Sequence, residues 1–554
     1  MNRPTPALVT LRGATRLPRL PLLLLCAAYV LPGLVGRDPW RGADVTAFGQ
    51  MVALADGRTS WLAPALGGLV ADTAVLPQWL GAAFILLLSP AVDPAVAARL
   101  PFAALLGLVL ALTWYTSFHL ARTDAAQPVP FAFGGQAEPV AYARAMADGA
   151  VLALMATLGL LQLGHETTPE LLQLTGVGLL LYGLAAAPFR VWKARAAVLG
   201  ALALLAASGA PAMGLALGLG AVLVCALSTY PQVRRFAGWV LAGSLLLIAL
   251  ATWLNAWHWR AGGLSPSTLP GIARQWAWFL WPVWPLALWT LWRWRHHMRH
   301  RHLSIPLVAV TVALGSNLLM GGSDRALMLG LPGLAVLAAF ALPTLKRSAS
   351  AAIDWFAMCF FTACAATIWV LYSAMQTGLP AKPAANIAKL ASGFEPVFSW
   401  PALLLAALGT AAWVAVVRWR TGRNREALWK SMVLPAGGVA LCWLLLMTLW
   451  LPLLDYARSP RPWVQLVAAQ VPPAQCIAAP GLSPALVAAL EHFGRWRVDA
   501  ATPDLGATAG CATLLLVARN TSPADPGPGW VLQARLQRPT ARDEVTFIYR
   551  RTSP

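Results

Sequence analysis

Charged residues are scarce in this chain of 554 residues: they make up 11% of it, and only 21 of them are acidic. An ordinary soluble domain carries about 25% charged residues, whereas 58% of this chain is hydrophobic and its mean hydropathy is +0.63. Apolar runs of about 18 or more residues, long enough to cross a hydrocarbon core, recur along most of the chain. The scarcity of charge therefore excludes a soluble globular protein and indicates a polytopic α-helical membrane protein.

Several binding signatures are also missing. The chain has no CxxC pair and no His/Cys spacing typical of zinc sites, no internal repeat, and no alternating aromatic and basic stripe along which a nucleic acid binds. Lys and Arg number 41 against 21 acidic residues, which gives a net charge of +20. The positive residues form short clusters between apolar runs, as expected of cytoplasmic loops. The charge excess therefore indicates membrane topology, not a nucleic-acid partner.

The basic clusters predict which loops face the cytoplasm. The apolar run Leu20–Val35 follows an arginine-rich start, and we interpret it as an uncleaved first helix because no small-x-small cleavage site follows it. With Leu76–Ser89 assigned to a juxtamembrane helix, the prediction is about 13 transmembrane helices in a bacterial inner membrane, with a cytoplasmic N-terminus and a periplasmic C-terminus. The predicted cytoplasmic clusters are Arg190–Arg195, Arg234–Arg235, Arg293–His302, Lys346–Arg347 and Arg418–Lys430.

The composition changes near Tyr456, where Pro, Arg, Asp and Gln become more frequent and spanning runs cease. We therefore expect a membrane domain over residues 1–455 and a small periplasmic α/β domain over residues 456–554. The predicted elements of the second domain are strands at Gln475–Ala479, Thr513–Ala518 and Val545–Tyr549 and a helix at Ser483–His492.

Five of the seven cysteines lie within apolar spans, where a buried cysteine behaves as a small hydrophobic residue. The other two, Cys476 and Cys511, fall at predicted strands of the external domain. An oxidising periplasm permits a disulfide between them, and two free buried thiols are the alternative.

Acidic residues stand out in two loops that the charge rule places outside. In the first loop, residues 36–78, Asp44 begins an amphipathic stretch and is either a helix cap or a carboxylate able to act as a general base. The second loop carries His165 and Glu166 just before a helix that starts at Pro169, so Glu166 is either part of a cap or a partner of Asp44. His165 is a candidate ligand for a phosphate or a divalent ion. Asp148, predicted to be cytoplasmic, is the alternative acid if the topology differs by one crossing.

Cations at the outer interface indicate an anionic ligand on a lipid tail, since such a ligand needs positive groups beside apolar grooves. The external loop Asn255–Trp276 offers His258, Arg260 and Arg274, and a later turn offers Arg325. Arg260 has an alternative role in snorkelling to lipid headgroups. Arg325 has an alternative role in an internal ion pair with the preceding Asp324.

The run from Trp40 to Phe84 resembles the first periplasmic loop of the aminoarabinose transferase and protein O-mannosyltransferase superfamily, which are integral-membrane glycosyltransferases of the GT-C fold. By this resemblance Asp44 is the catalytic acid/base and Asp72 a carboxylate that positions substrate or associates with a metal. The family's second acidic residue is Val45 here and its Lys-Pro-Pro is absent, so a possible divalent metal ion stays open. The matching features are Asp44, Gly57, Trp61, Pro64–Gly68, Asp72 and Pro77–Leu80.

The same resemblance makes Glu166 the natural partner of Asp44 and gives Arg325 the place of a basic residue that contacts the lipid phosphate. It implies an inverting transfer of a sugar from a polyprenyl-phosphate donor to a lipid such as lipid A, a protein or an envelope glycan, at the periplasmic face. A transporter or flippase of a lipid-linked or amphipathic solute is the alternative. Transporters place such charges near the bilayer midplane, whereas the acids here cluster in interfacial loops.

Overall fold

The structure, a computed structural model, describes residues 5–40, 42–71, 75–258, 262–263, 265–422, 427–473, 475–502, 511–519, 526–527, 529–538 and 540–552. Two residues predicted to bind substrate, Asp72 and Arg260, lie outside the described residues. The described part forms a helical bundle followed by one mixed β-sheet. A polytopic α-helical fold with a C-terminal sheet domain, as predicted, is therefore confirmed.

Proline begins many of the helices, because its missing N–H would be unpaired at a helix start in any case. The first half of the bundle contains α1 (Arg19–Val30), α2 (Ala43–Ala55), α3 (Leu76–Leu88), α4 (Pro94–Ala121), α5 (Pro139–Ala156), α6 (Leu158–Leu163), α7 (Pro169–Ala186), α8 (Val191–Ala207), α9 (Pro211–Ala226) and α10 (Pro231–Trp253). The second half contains α11 (Leu269–Phe279), α12 (Val283–Arg293), α13 (Arg301–Leu319), α14 (Asp324–Met328), α15 (Leu331–Ala339), α16 (Arg347–Thr377), α17 (Ala381–Leu390), α18 (Trp400–Thr421) and α19 (Val433–Thr448).

Eight helical segments of the described residues are long and apolar enough to cross a membrane. Four shorter apolar helices, α1, α2, α3 and α9, have between 10 and 17 residues. The predicted count of about 13 crossings therefore stays a prediction. The eight segments are α4, α7, α10, α13, Asp324–Thr344, α16, α18 and Leu428–Thr448.

The bundle has two chemically different ends. At one end, which we call the acidic-loop end, the first and second acidic loops meet, because the Arg37 guanidinium donates to the His165 carbonyl. The guanidinium of Arg99 in α4 donates to the carbonyl of Arg37 at the same end. At the other, which we call the basic end, the Arg301 side chain donates to the Leu184 carbonyl. The indole of Trp429, also at the basic end, donates to the Thr15 carbonyl at 2.7 Å. The predicted cytoplasmic clusters that contribute Arg301 and the 418–430 segment therefore lie away from the acidic loops.

Helix α3 stays at the acidic-loop end. Gln78 at its start donates to Gln50 of α2 at 3.0 Å, and the next helix, α4, has Arg99 at that end. With 13 residues, α3 spans only about 20 Å at 1.5 Å per residue. It therefore joins two helices at one end of the bundle without crossing it.

The strands of the C-terminal domain are β3 (Cys476–Ala478), β4 (Arg497–Asp499), β5 (Thr513–Arg519), β6 (Trp530–Arg538) and β7 (Ala541–Arg551). They form one sheet in the order β4-β3-β5-β7-β6. β3 is parallel to β4 and β5, whereas β7 is antiparallel to both of its neighbours. A disulfide joins Cys476 to Cys511 and decides between the two alternatives left by the sequence. The three predicted strands and the predicted helix are confirmed. The last three helices of the chain are α20 (Leu451–Arg458), α21 (Arg461–Ala468) and α22 (Pro484–Phe493). The first loop contains a separate hairpin of β1 (Ala65–Leu66) and β2 (Leu69–Val70).

Helix α2 is packed between the bundle and the C-terminal domain. One face, with Val45 and Ala53, belongs to the hydrophobic core of that domain, and the other, with Met51, belongs to the core of the bundle. Gly49 lies so close to α22 that a Cβ added there would stand 2.4 Å from the Cβ of Ala488. The C-terminal domain therefore fixes the position of α2 and of Asp44 near its start.

Candidate active site

Asp44 joins the two acidic loops. It occupies the second position of α2 and is 1% exposed. Its Oδ1 accepts hydrogen bonds from the backbone N–H of Thr167 at 2.8 Å and from the Thr167 hydroxyl at 2.9 Å. Its Oδ2 accepts from the Trp40 N–H at 3.1 Å. The hydrogen bonds between Asp44 and Thr167, the residue after Glu166, therefore link the first acidic loop to the second.

Two buried arginines set the ionisation of Asp44. Burial alone would raise the pKa of its carboxyl, but Arg37, Arg99 and the hydrogen bonds from Thr167 and Trp40 outweigh burial and hold that pKa below its ordinary value. A guanidinium nitrogen of Arg37 lies 3.8 Å from Oδ2. Asp44 is therefore a carboxylate at neutral pH.

Glu166 lies in the opposite electrostatic environment. Burial, followed by the charge of Asp44, raises the pKa of Glu166 above its ordinary value, although Arg325 and Gln162 act against the rise. The Glu166 side chain accepts from Gln162 at 3.1 Å and from Arg325 at 2.5 Å. Two carboxyl groups whose pKa values are shifted in opposite directions are a common arrangement for acid and base roles.

Arg325 connects this pair to a cavity. Besides Glu166, its guanidinium contacts Glu170 at 3.3 Å and donates to the Thr168 hydroxyl at 2.9 Å. The pairing with two glutamates replaces the alternative ion pair with Asp324, whose carboxylate accepts from the backbone N–H of residue 325. Arg325, with a 21% exposed side chain, lines a cavity of about 180 Å³.

The cavity beside Arg325 combines a polar end with apolar walls. Glu170 and Gln173 lie on its wall together with Arg325 and His258. Gly209, in the turn between α8 and α9, also lines it and has φ of +84°. The apolar lining residues include Ala212, Met213, Leu319, Met320 and Leu329. Such a site suits an anionic group attached to an apolar chain.

The other predicted site residues lie at different places relative to the cavity beside Arg325. His258 lines the cavity, whereas Arg274 is exposed on α11 and does not line it. The His165 ring contacts two backbone carbonyls, those of Leu161 at 2.6 Å and Tyr29 at 2.8 Å. Burial lowers the pKa of His165 to about 4, although the contacts with the two carbonyls act against this shift. His165 therefore fastens α1 to the second loop, and its ring nitrogens face backbone and not the cavity beside Arg325.

Asp148, the alternative acid, lies apart from this site. Its carboxylate accepts from the Leu17 N–H at 2.9 Å and from the Trp114 indole at 2.8 Å. Both contacts tie the start of α1 to α4 and α5. Asp148 is therefore not part of the cluster that contains Asp44.

Sequence reasoning missed several residues that complete the site. Arg37, in the first loop, donates to the His165 carbonyl at 2.6 Å. Arg458 donates to the Gln162 side chain at 2.6 Å and so reaches the glutamine that contacts Glu166. Asp38 pairs with Arg461 at 2.7 Å. An unusual density of Arg and Asp at residues 37–44 and 455–461 was the available signal, but the sequence does not show that these segments meet.

A metal site is not assembled by the described residues, among which no group of three His, Cys, Asp or Glu side chains is placed to hold an ion. Asp72, the carboxylate that the resemblance linked to a metal, lies outside the described residues.

Two solved structures are similar to this chain over nearly its whole length. They are the crystal structures of ArnT from Cupriavidus metallidurans, one bound to undecaprenyl phosphate and one in the apo state. The TM-scores are 0.59 and 0.60, each at 14% identity. Both comparisons cover 96% of this chain, with 97% and 96% of the ArnT chains. No protein-family model matches the chain, and no curated protein sequence matches it.

Proposed function

We propose that this chain, whose fold is that of the GT-C aminoarabinose transferase ArnT, is a glycosyltransferase that uses a polyprenyl-phosphate-linked sugar. The acceptor is a lipid, a protein or an envelope glycan at the periplasmic face of the inner membrane. The proposal of the periplasmic face rests on the basic clusters, which lie away from the acidic loops.

The observation that carries the proposal is the contact of Arg325 with Glu166 and Glu170 at a cavity with apolar walls. A polyprenyl phosphate presents an anion on an apolar chain, so its phosphate suits Arg325 and its first prenyl units suit the walls. The ArnT structure with undecaprenyl phosphate has the same fold, which supports this class of ligand.

The chemistry is one displacement at the anomeric carbon. A lone pair of the acceptor oxygen or nitrogen forms a bond to that carbon, the bond from carbon to the phosphate oxygen breaks, and polyprenyl phosphate leaves with the electron pair. The acceptor's proton goes to a carboxylate of the enzyme. A single displacement inverts the anomeric centre.

Glu166 is the better proton acceptor of the catalytic pair. A general base works best when its pKa lies near the working pH, and the pKa of Glu166 is raised whereas that of Asp44 is lowered. Asp44 is the positioning residue: it keeps its charge and holds the Glu166 loop through Thr167. Arg325 stabilises the negative charge that develops on the leaving phosphate.

The test is transfer of radiolabelled sugar from total polyprenyl-phosphate donors into membranes at matched expression. We expect Glu166→Gln to lose about 10²–10⁴-fold of the rate, the usual contribution of a general base. Glu170→Gln removes one Arg325 contact but keeps Glu166, so we expect a smaller loss. Glu138→Gln, an exposed position at the start of α5, serves as the matched control.

Three outcomes separate the alternatives. Label in the membrane with wild type and its loss with Glu166→Gln support the proposed function. A larger loss with Glu170→Gln than with Glu166→Gln would move the base to Glu170. If the wild type transfers no sugar but binds the carrier or moves it between leaflets, the protein would be assigned as a transporter and not as an enzyme.

A further inference from the structure

Two further cavities lie at the basic end of the bundle, away from the cavity beside Arg325. One cavity, of about 440 Å³, is bounded by the start of α1 and by α4 and α5, and apolar residues such as Leu22, Leu23 and Leu110 form much of its wall. The other, of about 410 Å³, lies beside α4, α7 and α8. Tyr115 lines both cavities, so they are neighbours. We call them the α1 cavity and the α8 cavity.

Both cavities are basic. Arg16, Arg19 and Arg144 line the α1 cavity, and no carboxylate within the described ranges forms an ion pair with any of them. The only acid among the residues lining it is Asp148, whose two oxygens already accept from Leu17 and Trp114. The unpaired cations therefore leave the α1 cavity with a positive charge at the edge of an apolar wall.

The α8 cavity has the same character. Arg122, Arg190 and Lys193 line it, and the Arg122 guanidinium stacks on Phe189 at 4.7 Å from the ring centroid. His119, also on the wall, is 5% exposed, and its Nδ1 has no hydrogen-bond partner within the described part of the chain. A buried ring nitrogen without a partner costs free energy unless a ligand or water satisfies it.

We propose that the α1 and α8 cavities form a binding site for an anionic glycerophospholipid of the membrane leaflet at the basic end. The phosphate of the lipid contacts the unpaired cations, and an acyl chain lies along the apolar wall that contains Leu22 and Leu110. Basic pockets between transmembrane helices are a recurrent way of binding acidic headgroups. This inference does not rest on the proposed function, because it concerns residues that take no part in transfer.

Charge and polarity select this occupant. Free phosphate or a soluble phosphorylated molecule would leave the apolar wall of the α1 cavity uncovered. A zwitterionic phospholipid carries its own cation and gains less from three unpaired arginines. Anionic phospholipids are enriched in the cytoplasmic leaflet, which the basic clusters predict at this end.

The test is native mass spectrometry of the full chain in detergent, titrated with phosphatidylglycerol or with phosphatidylcholine. We expect phosphatidylglycerol to bind preferentially. Each cation removed should weaken binding about fivefold, so Arg16→Gln together with Arg144→Gln should weaken it about twenty-fivefold. Arg234→Gln with Arg235→Gln is the matched control: both arginines are exposed near the start of α10, outside the two cavities, and binding should change less than twofold.

The unmodified protein provides a measurement that does not depend on folding of a variant. At equal mole fractions of phosphatidylglycerol, phosphatidylcholine and undecaprenyl phosphate, we expect phosphatidylglycerol to bind the unmodified protein in preference to phosphatidylcholine. We also expect it to stay bound beside undecaprenyl phosphate, whose proposed site is the separate cavity beside Arg325. Equal binding of phosphatidylglycerol and phosphatidylcholine would overturn the proposal. Displacement of phosphatidylglycerol by undecaprenyl phosphate would overturn it too, as would an unchanged affinity in the double Arg variant.

Discussion

The bundle contains a buried aspartate at each end, and the two have different surroundings. Asp44 at the acidic-loop end lies 3.8 Å from Arg37 and accepts hydrogen bonds from two residues in two loops. Asp148 toward the basic end accepts only from the Leu17 N–H and the Trp114 indole, and none of the eight ion pairs among the described residues includes it. The arginines near Asp148 line a cavity instead.

The two ends differ in whether their arginines form ion pairs with carboxylates. At the acidic-loop end, arginines form ion pairs that hold carboxylates in place, as Arg325 does with Glu166 and Glu170. At the basic end, Arg420 pairs with Asp354, whereas Arg16 and Arg144 form no ion pair with a described carboxylate. Paired charge fixes the geometry of the proposed active site, and the unpaired charge is the basis of the proposed site for an acidic lipid.

The largest effect should come from removing the charge of Asp44. Asp44→Asn leaves Arg37 buried without its carboxylate, and breaking a buried pair in this way costs about 3–5 kcal/mol. The pKa of Asp44 is lowered in the folded state, so its contribution is complete above the unfolded pKa of about 3.9 and is lost as the pH falls through the lower folded pKa.

Thermal unfolding of the purified protein at pH 7 measures this effect. Asp56→Asn, at the exposed C-terminal end of the same helix, is the matched control and should cost less than about 1 kcal/mol because its pair with Arg58 is exposed. Equal unfolding temperatures for the two variants would show that Arg37 and Asp44 do not stabilise the fold.

The second prediction concerns pH. The Arg325 cation lowers the pKa of Glu166, so Arg325→Gln should raise that pKa further. Because the base must be deprotonated, the acid limb of the profile of kcat/KM should move to higher pH, and the rate should fall about 10²-fold with the loss of phosphate contact. The profile is measured on native membranes that contain the variant. An acid limb that stays at the wild-type pH would argue against Glu166 as the base.

A smaller effect is expected where the C-terminal domain holds α2. Gly49→Ala places a methyl group against Ala488 and should destabilise that interface by about 1–3 kcal/mol through overpacking. Limited proteolysis of the C-terminal domain measures the change. Gly238→Ala in α10 has nothing within 4 Å of the added Cβ and is the control. Similar cleavage rates for both variants would exclude tight packing of α2 on α22.

The smallest effect should come from Asp148. Asp148→Asn keeps one oxygen acceptor and removes no partner from a buried cation, so it should cost about 1 kcal/mol, the value of one ordinary hydrogen bond. The same thermal measurement that tests Asp44→Asn applies. A cost as large as that of Asp44→Asn would remove the contrast between the two ends.

The sequence predicted elements well wherever local pattern decides them. The helix at Ser483–His492 and the strand at Thr513–Ala518 match α22 and β5 to within a residue at each end. Two strands of the C-terminal domain were missed: β4 has three residues of which one is apolar, and the apolar residues of β6 are interrupted by Gln and Arg, so neither strand forms a continuous apolar run. In the site, the sequence singled out Asp44, Glu166, His258 and Arg325, since acids and cations are conspicuous in apolar surroundings. It missed Arg37, whose signal was the density of Arg and Asp at residues 37–44, and Glu170.

By itself, the sequence determined the membrane fold, the C-terminal sheet domain and the loops that hold the acids, because hydropathy and charge act on each segment locally. The tertiary structure alone decided which charges meet. It placed Arg325 on Glu166 and Glu170, turned the His165 ring to backbone carbonyls, and left Asp148 without an ion pair among the described residues. Pairing depends on contacts between residues more than a hundred positions apart, which only the packing of the helices brings together.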